Sequence, residues 1–357
     1  MTLARMNVVR RCAGRWMAFV GLPAALALLV AACGGGEEPS AATEGDRVTI
    51  SLAVLDDVGR RASLYAIEQR IVTSASVDVV ITYLPPSAID ESARSKEFDV
   101  IETAPLAIPQ AIVEDFDFVV LSAGLQVLDG THLVVSSDAD LTTPEDLAGK
   151  TFGVVSREAT STLEARYLLQ QSYGLDIGVE GDDVAIEEAP AQSLPTLLES
   201  GELDAALVTE LSAFRLLDDA DFRVLSRVTD EVRELTGAPV MSSLLVTYPD
   251  VAGRKADALR ELNLLLAESV TYLKANQDAV IEAVAAEQRA DPEFLRWWWD
   301  HYDLLLGDLS KDTQERLLHV WDAARALGDI ESYPDLADVL FNPAAPTPTP
   351  NAGRYVP

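Results

Sequence analysis

The sequence predicts an α/β protein built as two lobes. Runs of β-branched and aliphatic residues alternate with amphipathic helical stretches, the pattern of parallel strands joined by right-handed crossovers. Two such series follow one another, and a long helical segment comes after them. The stretch available for folding, roughly 300 residues, exceeds what one core usually serves.

The chain opens on a leader. Arg5, Arg10, Arg11 and Arg15 make a basic start without an acid, and Met17–Val30 is an apolar run interrupted only by Gly21 and Pro23. That run is too short to span a bilayer comfortably and ends in small residues, as a signal peptide does. Val30-Ala31-Ala32-Cys33 resembles the lipobox of bacterial lipoproteins. The resemblance implies a signal peptide over 1–32, lipidation of Cys33, and a protein anchored at the outer face of the cell membrane. The competing reading is an ordinary signal peptide with a cysteine nearby. Residues 33–46, rich in Gly and acids, cannot bury apolar surface and read as a disordered tether. Their three glycines lack the preceding strand and following Lys-Ser/Thr of a phosphate loop.

In the first lobe, expected over 47–133, Val48–Val54 reads as a strand and Arg60–Val72 as a helix. Val77–Leu84, closed by Pro85-Pro86, Phe98–Thr103 and Phe118–Gly124 are further strands. The second lobe is expected over 134–240. There Thr143, Pro144 and Asp146 start a short capped helix, and Thr151–Ser156 is a strand. Ala159–Tyr173 is an amphipathic helix stopped by Gly174, with Leu163, Tyr167 and Leu168 on one face and Glu164 and Arg166 on the other. Val184–Ala189 and Leu203–Thr209 are strands around a helix at Leu194–Glu199. The two crossovers are expected near Thr131–Val135 and Met241–Val246. Residues 241–341 then return to the first lobe as a strand and helices Arg254–Asn276, Asp278–Arg289, Pro292–Leu306 and Lys311–Leu327. Leu262, Leu266, Val270 and Leu273 recur at helical spacing and read as core. Residues 342–357 form a Pro-rich tail expected to be unstructured.

The 27 basic and 58 acidic residues become 23 against 58 when the four leader arginines are removed. Such a field repels nucleic acid and anionic lipid, so neither is an expected partner. A local cluster of donors can still hold an anionic ligand. Cys12 departs with the leader and Cys33 carries the lipid, which leaves no disulfide. His132, His301 and His319 lack metal-ligand spacing. The acidic pairs Asp56-Asp57, Asp182-Asp183 and Glu187-Glu188 lack the alternating donors and central Gly of a calcium loop. No metal or cofactor is expected.

Three stretches carry a resemblance: FDVIETAPLAIPQAI from Phe98, GTHLVVSSDADLTTPEDLAGKTFGVVSREATSTLEARYLLQQSYGL from Gly130, and LLESGELDAALVTE from Leu197. Together they resemble the substrate-binding proteins of ABC importers, in the branch of sulfonate, taurine, nitrate and thiamine-precursor binders. Asp146-Leu147-Ala148-Gly149-Lys150-Thr151-Phe152-Gly153-Val154 and Gly201-Glu202-Leu203-Asp204-Ala205-Ala206-Leu207-Val208 match the patterns common there. The resemblance covers about Val48 to Leu327. It implies a two-lobed type II periplasmic-binding fold with two crossovers, a ligand cleft between the lobes, and a permease with its ATPase as partners of a monomeric protein.

In doubly wound sheets ligands sit beyond the carboxyl ends of the strands. The candidate contacts are therefore Asp56, Asp57, Thr103 and Ala104 in the first lobe. In the second they are Ser156, Arg157, Thr160, Ser161, Thr162, Thr209 and Glu210, and His132 lies where the chain crosses. The loop Ser156–Thr162 enters a helix and adds hydroxyls and a guanidinium, which suits a sulfonate, carboxylate or phosphate. The alternative is a plain N-cap with Arg157 paired to Glu158 or Glu164 on the surface. Trp297-Trp298-Trp299 cannot form one wall, because consecutive helical residues point roughly 100° apart. One or two of them are expected to pack into the first lobe.

Three function classes fit the sequence: delivery of a small, anionic organic solute to an ABC permease, a cofactor-precursor enzyme on the same fold, and a ligand sensor without transport. There is no G-x-S-x-G, no H-E-x-x-H and no Cys-rich motif of the pyrimidine synthases, and a lipid anchor would strand an enzyme that needs a cytosolic cofactor. The expectation is a non-enzymatic binding protein of an importer.

Overall fold

The computed structural model describes residues 47–177 and 183–342. The leader, Cys33, the tether, Asp182 and residues 343–357 lie outside the described residues. The first series runs β1 (Val48–Leu55), α1 (Val58–Glu68), β2 (Val77–Leu84), α2 (Pro86–Ser95), β3 (Val100–Thr103), α3 (Ala107–Val113) and β4 (Val119–Ala123). A short strand, β5 (Leu125–Val127), leads to β6 (Thr131–Ser136) and β7 (Lys150–Val154). There follow α4 (Thr160–Tyr173), β8 (Val184–Glu188), α5 (Leu194–Ser200), β9 (Ala205–Thr209), α6 (Glu210–Leu216), β10 (Phe222–Ser226) and α7 (Val228–Thr236). The chain returns through β11 (Val240–Met241) and β12 (Leu244–Thr247) into α8 (Pro249–Arg254), α9 (Ala256–Ala275), α10 (Gln277–Gln288) and α11 (Pro292–His301). It continues through β13 (Tyr302–Leu304), α12 (Lys311–Ala326) and α13 (Leu336–Val339).

One sheet has the order β2-β1-β3-β12-β4 and the other β8-β7-β9-β6-β10. In each, the first three strands are parallel and the fourth is antiparallel. The two lobes thus share one topology, and the antiparallel strand is the one by which the chain enters from the other lobe. Central strands of such sheets are covered on both faces and are apolar along most of their length. Ile50, Leu52, Ala53 and Val54 of β1 are accordingly buried, as are Phe152 and Val154 of β7.

This topology moves the expected lobe boundary. Thr131–Ser136 is not a crossover, because its backbone groups pair with β9 on one side and β10 on the other. The crossing segments meet instead in a third sheet of order β11-β5-β13, where Met241 pairs with Gln126 and Tyr302 with Val127. The strand β13 also cuts short the helix expected to reach Leu306: its backbone bonds to β5 replace the last helical turn. Likewise Lys255 interrupts the helix expected from Arg254, separating α8 from α9.

The stripe Leu259, Leu262, Leu266, Val270 and Leu273 of α9 belongs to the core of the first sheet. Helix α4 departs from the amphipathic reading. Glu164 and Arg166, placed on its polar face by periodicity, are 3% and 8% exposed. Arg166 is buried because its guanidinium is bidentate to Asp329, at 2.8 and 3.0 Å, beyond the end of α12. Of the three tryptophans, Trp298 is in the first core while Trp297 packs on Phe214 of the second lobe, ring centroids 5.9 Å apart.

Trp298 stacks on Tyr302, with centroids 5.1 Å apart and planes 16° from parallel. Two glycines make room for the pair. A Cβ at Gly59 would lie 2.2 Å from the Trp298 indole, and one at Gly130 would lie 2.4 Å from the Tyr302 ring. Gly59→Ala is therefore expected to overpack the first turn of α1 and destabilise the fold by about 1–3 kcal/mol, measurable as a lowered midpoint in urea.

Candidate functional site

The carboxyl ends of β1 and β3 face those of β7 and β9 across a cleft. Its inner chamber, about 240 Å³, is lined from the first lobe by Leu55, Arg60, Glu102, Thr103 and Ala104, and from the second by Thr131, Thr160, Ser161, Glu164, Thr209 and Glu210. Ser242, Ser243 and Tyr302 close it at the junction. An outer cavity of about 400 Å³ shares Pro86, Asp90, Thr103, Ala104 and Ala159 with it and adds Arg94, Ser156 and Glu158.

Local sequence builds the first-lobe wall. Asp57 caps α1 by accepting from the Arg60 amide at 2.9 Å. This places Arg60 one turn into the helix, where its Nε and Nη2 donate to Glu102 Oε1 at 3.1 and 2.9 Å. Its Nη1 lies 2.9 Å from Asp57 and 3.5 Å from Glu210 of the opposite lobe. The other oxygen of Glu102 accepts from the Leu55 amide at 3.1 Å, tying the ends of β1 and β3 together. Burial alone would raise the Glu102 carboxyl, but the charge and hydrogen bonds of Arg60, with Ser243 and the Leu55 amide, hold it below the usual range. Burial works against the Arg60 cation too, and the three carboxylates outweigh it.

The second-lobe wall is less fully paired. Thr160 reaches across to the Ser242 carbonyl at 3.4 Å. The Thr131 hydroxyl donates to Glu164 Oε2 at 3.4 Å, while Glu164 Oε1 has no hydrogen-bond partner. Burial pushes the Glu164 carboxyl up to about 8, against the pull of the Thr131 and Thr229 hydroxyls. Asp57, whose side chain keeps a fifth of its surface in solvent, is pushed up to about 7, by burial first and by Glu210 and Glu102 besides, against Arg60. Glu210 itself sits at φ +47°, a left-handed conformation uncommon outside glycine. Its amide donates to the Tyr302 hydroxyl at 2.9 Å, which in turn donates to the Gly130 carbonyl at 3.1 Å.

Thr103, Ala104, Thr160, Ser161, Thr209 and Glu210 thus come together around one chamber, with Asp57 behind Arg60. Ser156 lines the outer cavity. Thr162 is turned inward, bonding the Ser156 carbonyl at 2.7 Å. Asp56 pairs outward with Arg61 at 2.7 Å. His132 is 1% exposed, its Nε2 3.4 Å from Asp129, and lines neither cavity. Arg157 is exposed. Its guanidinium donates to the Ile186 carbonyl and its amide to Glu188 at 2.6 Å, so it faces the edge strand β8 and not Glu158, Glu164 or the cleft.

Arg60, Glu102, Glu164 and Tyr302 escaped the sequence reading. Glu102 had a readable signal, an acid inside the buried run Val100–Thr103. Arg60 and Glu164 had none, since charged residues on amphipathic helices are ordinarily solvated. Among the described residues no group of three or more His, Cys, Asp or Glu is arranged to hold a metal ion, and no helix is long and apolar enough to cross a membrane.

A family profile described as the periplasmic substrate-binding protein of the phosphonate ABC transporter matches residues 66–285. Among solved structures, the chain is similar to the periplasmic aliphatic sulphonate binding protein SsuA from Escherichia coli, with TM-score 0.65 and 13% identity over 82% of this chain and 97% of that one. The alkanesulfonate-binding SsuA from Xanthomonas axonopodis pv. citri, bound to MOPS, gives TM-score 0.61 and 14% identity over 83% and 99%. A Candida albicans protein with the generic periplasmic binding protein fold gives 0.61 and 14% over 81% and 93%. At these identities the likeness is one of fold. No curated protein matches the chain in sequence.

Two outcomes follow from the geometry. Arg157→Ala should leave the affinity for any solute bound in the cleft within about twofold in calorimetric titration, because its guanidinium points away; a loss of a decade or more would contradict that placement. Glu164 makes stability depend on pH. Its folded value, about 8, lies above the ordinary 4.5, so the unfolded chain releases the proton first as pH rises. Stability should fall between about pH 4.5 and 8 and level off above. Glu164→Gln should flatten that slope in thermal denaturation and raise stability at pH 8.

Proposed function

The chain belongs to the family of phosphonate ABC-transporter periplasmic substrate-binding proteins, and we propose that its cleft captures a small solute and delivers it to a membrane permease. One observation carries the reading: both lobes contribute buried polar groups to a single chamber at their strand ends, and one atom from each lobe, Thr103 Oγ1 and Glu164 Oε1, makes no hydrogen bond. A solute that fills the chamber touches Thr103 and Arg60 on one side and Thr160, Ser161, Glu164 and Glu210 on the other. Contacts with both lobes favour the closed arrangement over the open one. The lobes are joined by two crossing segments and β13, a narrow junction suited to hinge motion.

The anchor belongs to the same proposal. Lipidated Cys33 holds the body, as a monomer, beside its permease at high effective concentration. The solute expected from the loop Ser156–Thr162 was an anion held by Arg157. The Arg157 guanidinium donates instead to the Ile186 carbonyl, which leaves that expectation without its cation.

Uptake tests the delivery role. A solute at a hundredfold excess over its Kd should stabilise the purified protein by about 2.7 kcal/mol. Cells lacking the protein should lose uptake of that solute. Cys33→Ser should move the protein into the aqueous phase on detergent partitioning and slow uptake without changing affinity. Uptake that survives deletion would favour sensing, and solute returned chemically altered would make the protein an enzyme.

A further inference from the structure

We propose that the inner chamber takes a small organic ammonium ion, seated against Glu164, Thr103 and Glu210. The inference rests on the binding-protein reading and specifies its solute. Four acids line the chamber, Asp90, Glu102, Glu164 and Glu210, and Arg60 is the one base among its described lining residues. That base is already engaged. Two of its nitrogens donate to Glu102 and the third faces Asp57 and Glu210. A phosphonate or sulfonate would have to displace a carboxylate from the guanidinium and lie beside the others, a repulsion that grows as closure removes water.

Unpartnered atoms give the independent indication. Glu164 Oε1 and Thr103 Oγ1 are buried atoms of two chamber-lining residues, each 3% exposed, and make no hydrogen bond within the protein. A buried acceptor without a donor is costly. An ammonium group has three donors and no acceptor, so it satisfies Thr103 Oγ1 and the Glu164 carboxylate, which is protonated in the free protein at neutral pH and gives up its proton to solvent as the cation seats. Arg60 Nη1, which has ion pairs but no hydrogen bond, can donate to a neutral oxygen such as an alcohol. Leu55, Pro86, Ile89 and Val127 supply apolar wall for a short alkyl body. The amides at the start of α4 would suit an anion in isolation. They lie instead between Glu158 and Glu164, and the nearby Arg94 is paired with Glu114.

Calorimetric titration of the full-length chain with ethanolamine, butylamine and putrescine, against methylphosphonate and ethanesulfonate, tests the assignment. At least one amine should bind and neither anion should. Glu164→Gln should weaken amine binding by about ten- to a hundredfold with an unchanged circular dichroism spectrum. Glu210→Gln should weaken it in the same direction, which keeps the test sound if the first variant folds poorly. Binding of an anion but no amine would overturn the cationic assignment and leave the delivery role intact. Amine affinity unchanged in both variants would move the ammonium out of this chamber and overturn it too. Binding of neither class would overturn it, and the delivery role would then stand or fall on the uptake experiment.

Discussion

A guanidinium in a protein interior must be paired, and Arg60 dictates much of what surrounds it. Taking a charge out of water is compensated only by partners at close range and good geometry. Arg60 finds Glu102 on β3, Asp57 at the cap of α1 and Glu210 in the facing lobe. Each partner has a second task. Glu102 holds the end of β1 through the Leu55 amide, Asp57 starts α1, and Glu210 opens α6. Loss of Glu102, the buried partner that accepts two of the Arg60 hydrogen bonds, would cost about 3–5 kcal/mol. The same cluster is therefore a brace for the first lobe and the floor of the cleft.

The junction depends on packing more than on charge. Gly59 and Gly130 admit the Trp298–Tyr302 stack, and the Tyr302 hydroxyl then links the start of β6 to the start of α6. Asp329 holds α4 of the second lobe through Arg166. The C-terminal helices consequently touch both lobes, although their core lies with the first sheet. Across the cleft the contacts are long by comparison, 3.5 Å for Arg60 to Glu210 and 3.4 Å for Thr160 to Ser242. A motion that opens the cleft gives up these weak contacts and leaves the sheets intact.

Fold and ligand chemistry part company here. The solved structures that resemble this chain include sulfonate binders, yet that likeness concerns backbone topology and says nothing of the groups in this cleft. What lines the inner chamber is decided by a few side chains on the strands and helices around it, and in this chain the charged ones are predominantly acidic.

The α/β class, the two series and most strands were legible in the sequence, because period-2 and period-3.6 patterns report which residues face a core. The capping box at Thr143 and the stop at Gly174 were legible for the same local reason. The apolar stripe of α9 was legible too. The candidate loops at strand ends came from topology, and Thr103, Thr160, Ser161, Thr209 and Glu210 do meet in one chamber. Local pattern misread whatever a distant partner decides. Thr131–Ser136 became a second-lobe strand because β9 and β10 bond it on both sides. Tyr302–Leu304 left its helix because β5 offered a strand to pair with. Arg166 and Glu164 were buried on a face that periodicity assigns to solvent, the first because Asp329 waits 163 residues away. Arg157 turned from the cleft to the Ile186 carbonyl, and Arg60 turned into it. A sequence records the alternation of polar and apolar residues along a chain. Which charge meets which, and so what the cleft can hold, is settled only when the two lobes face each other.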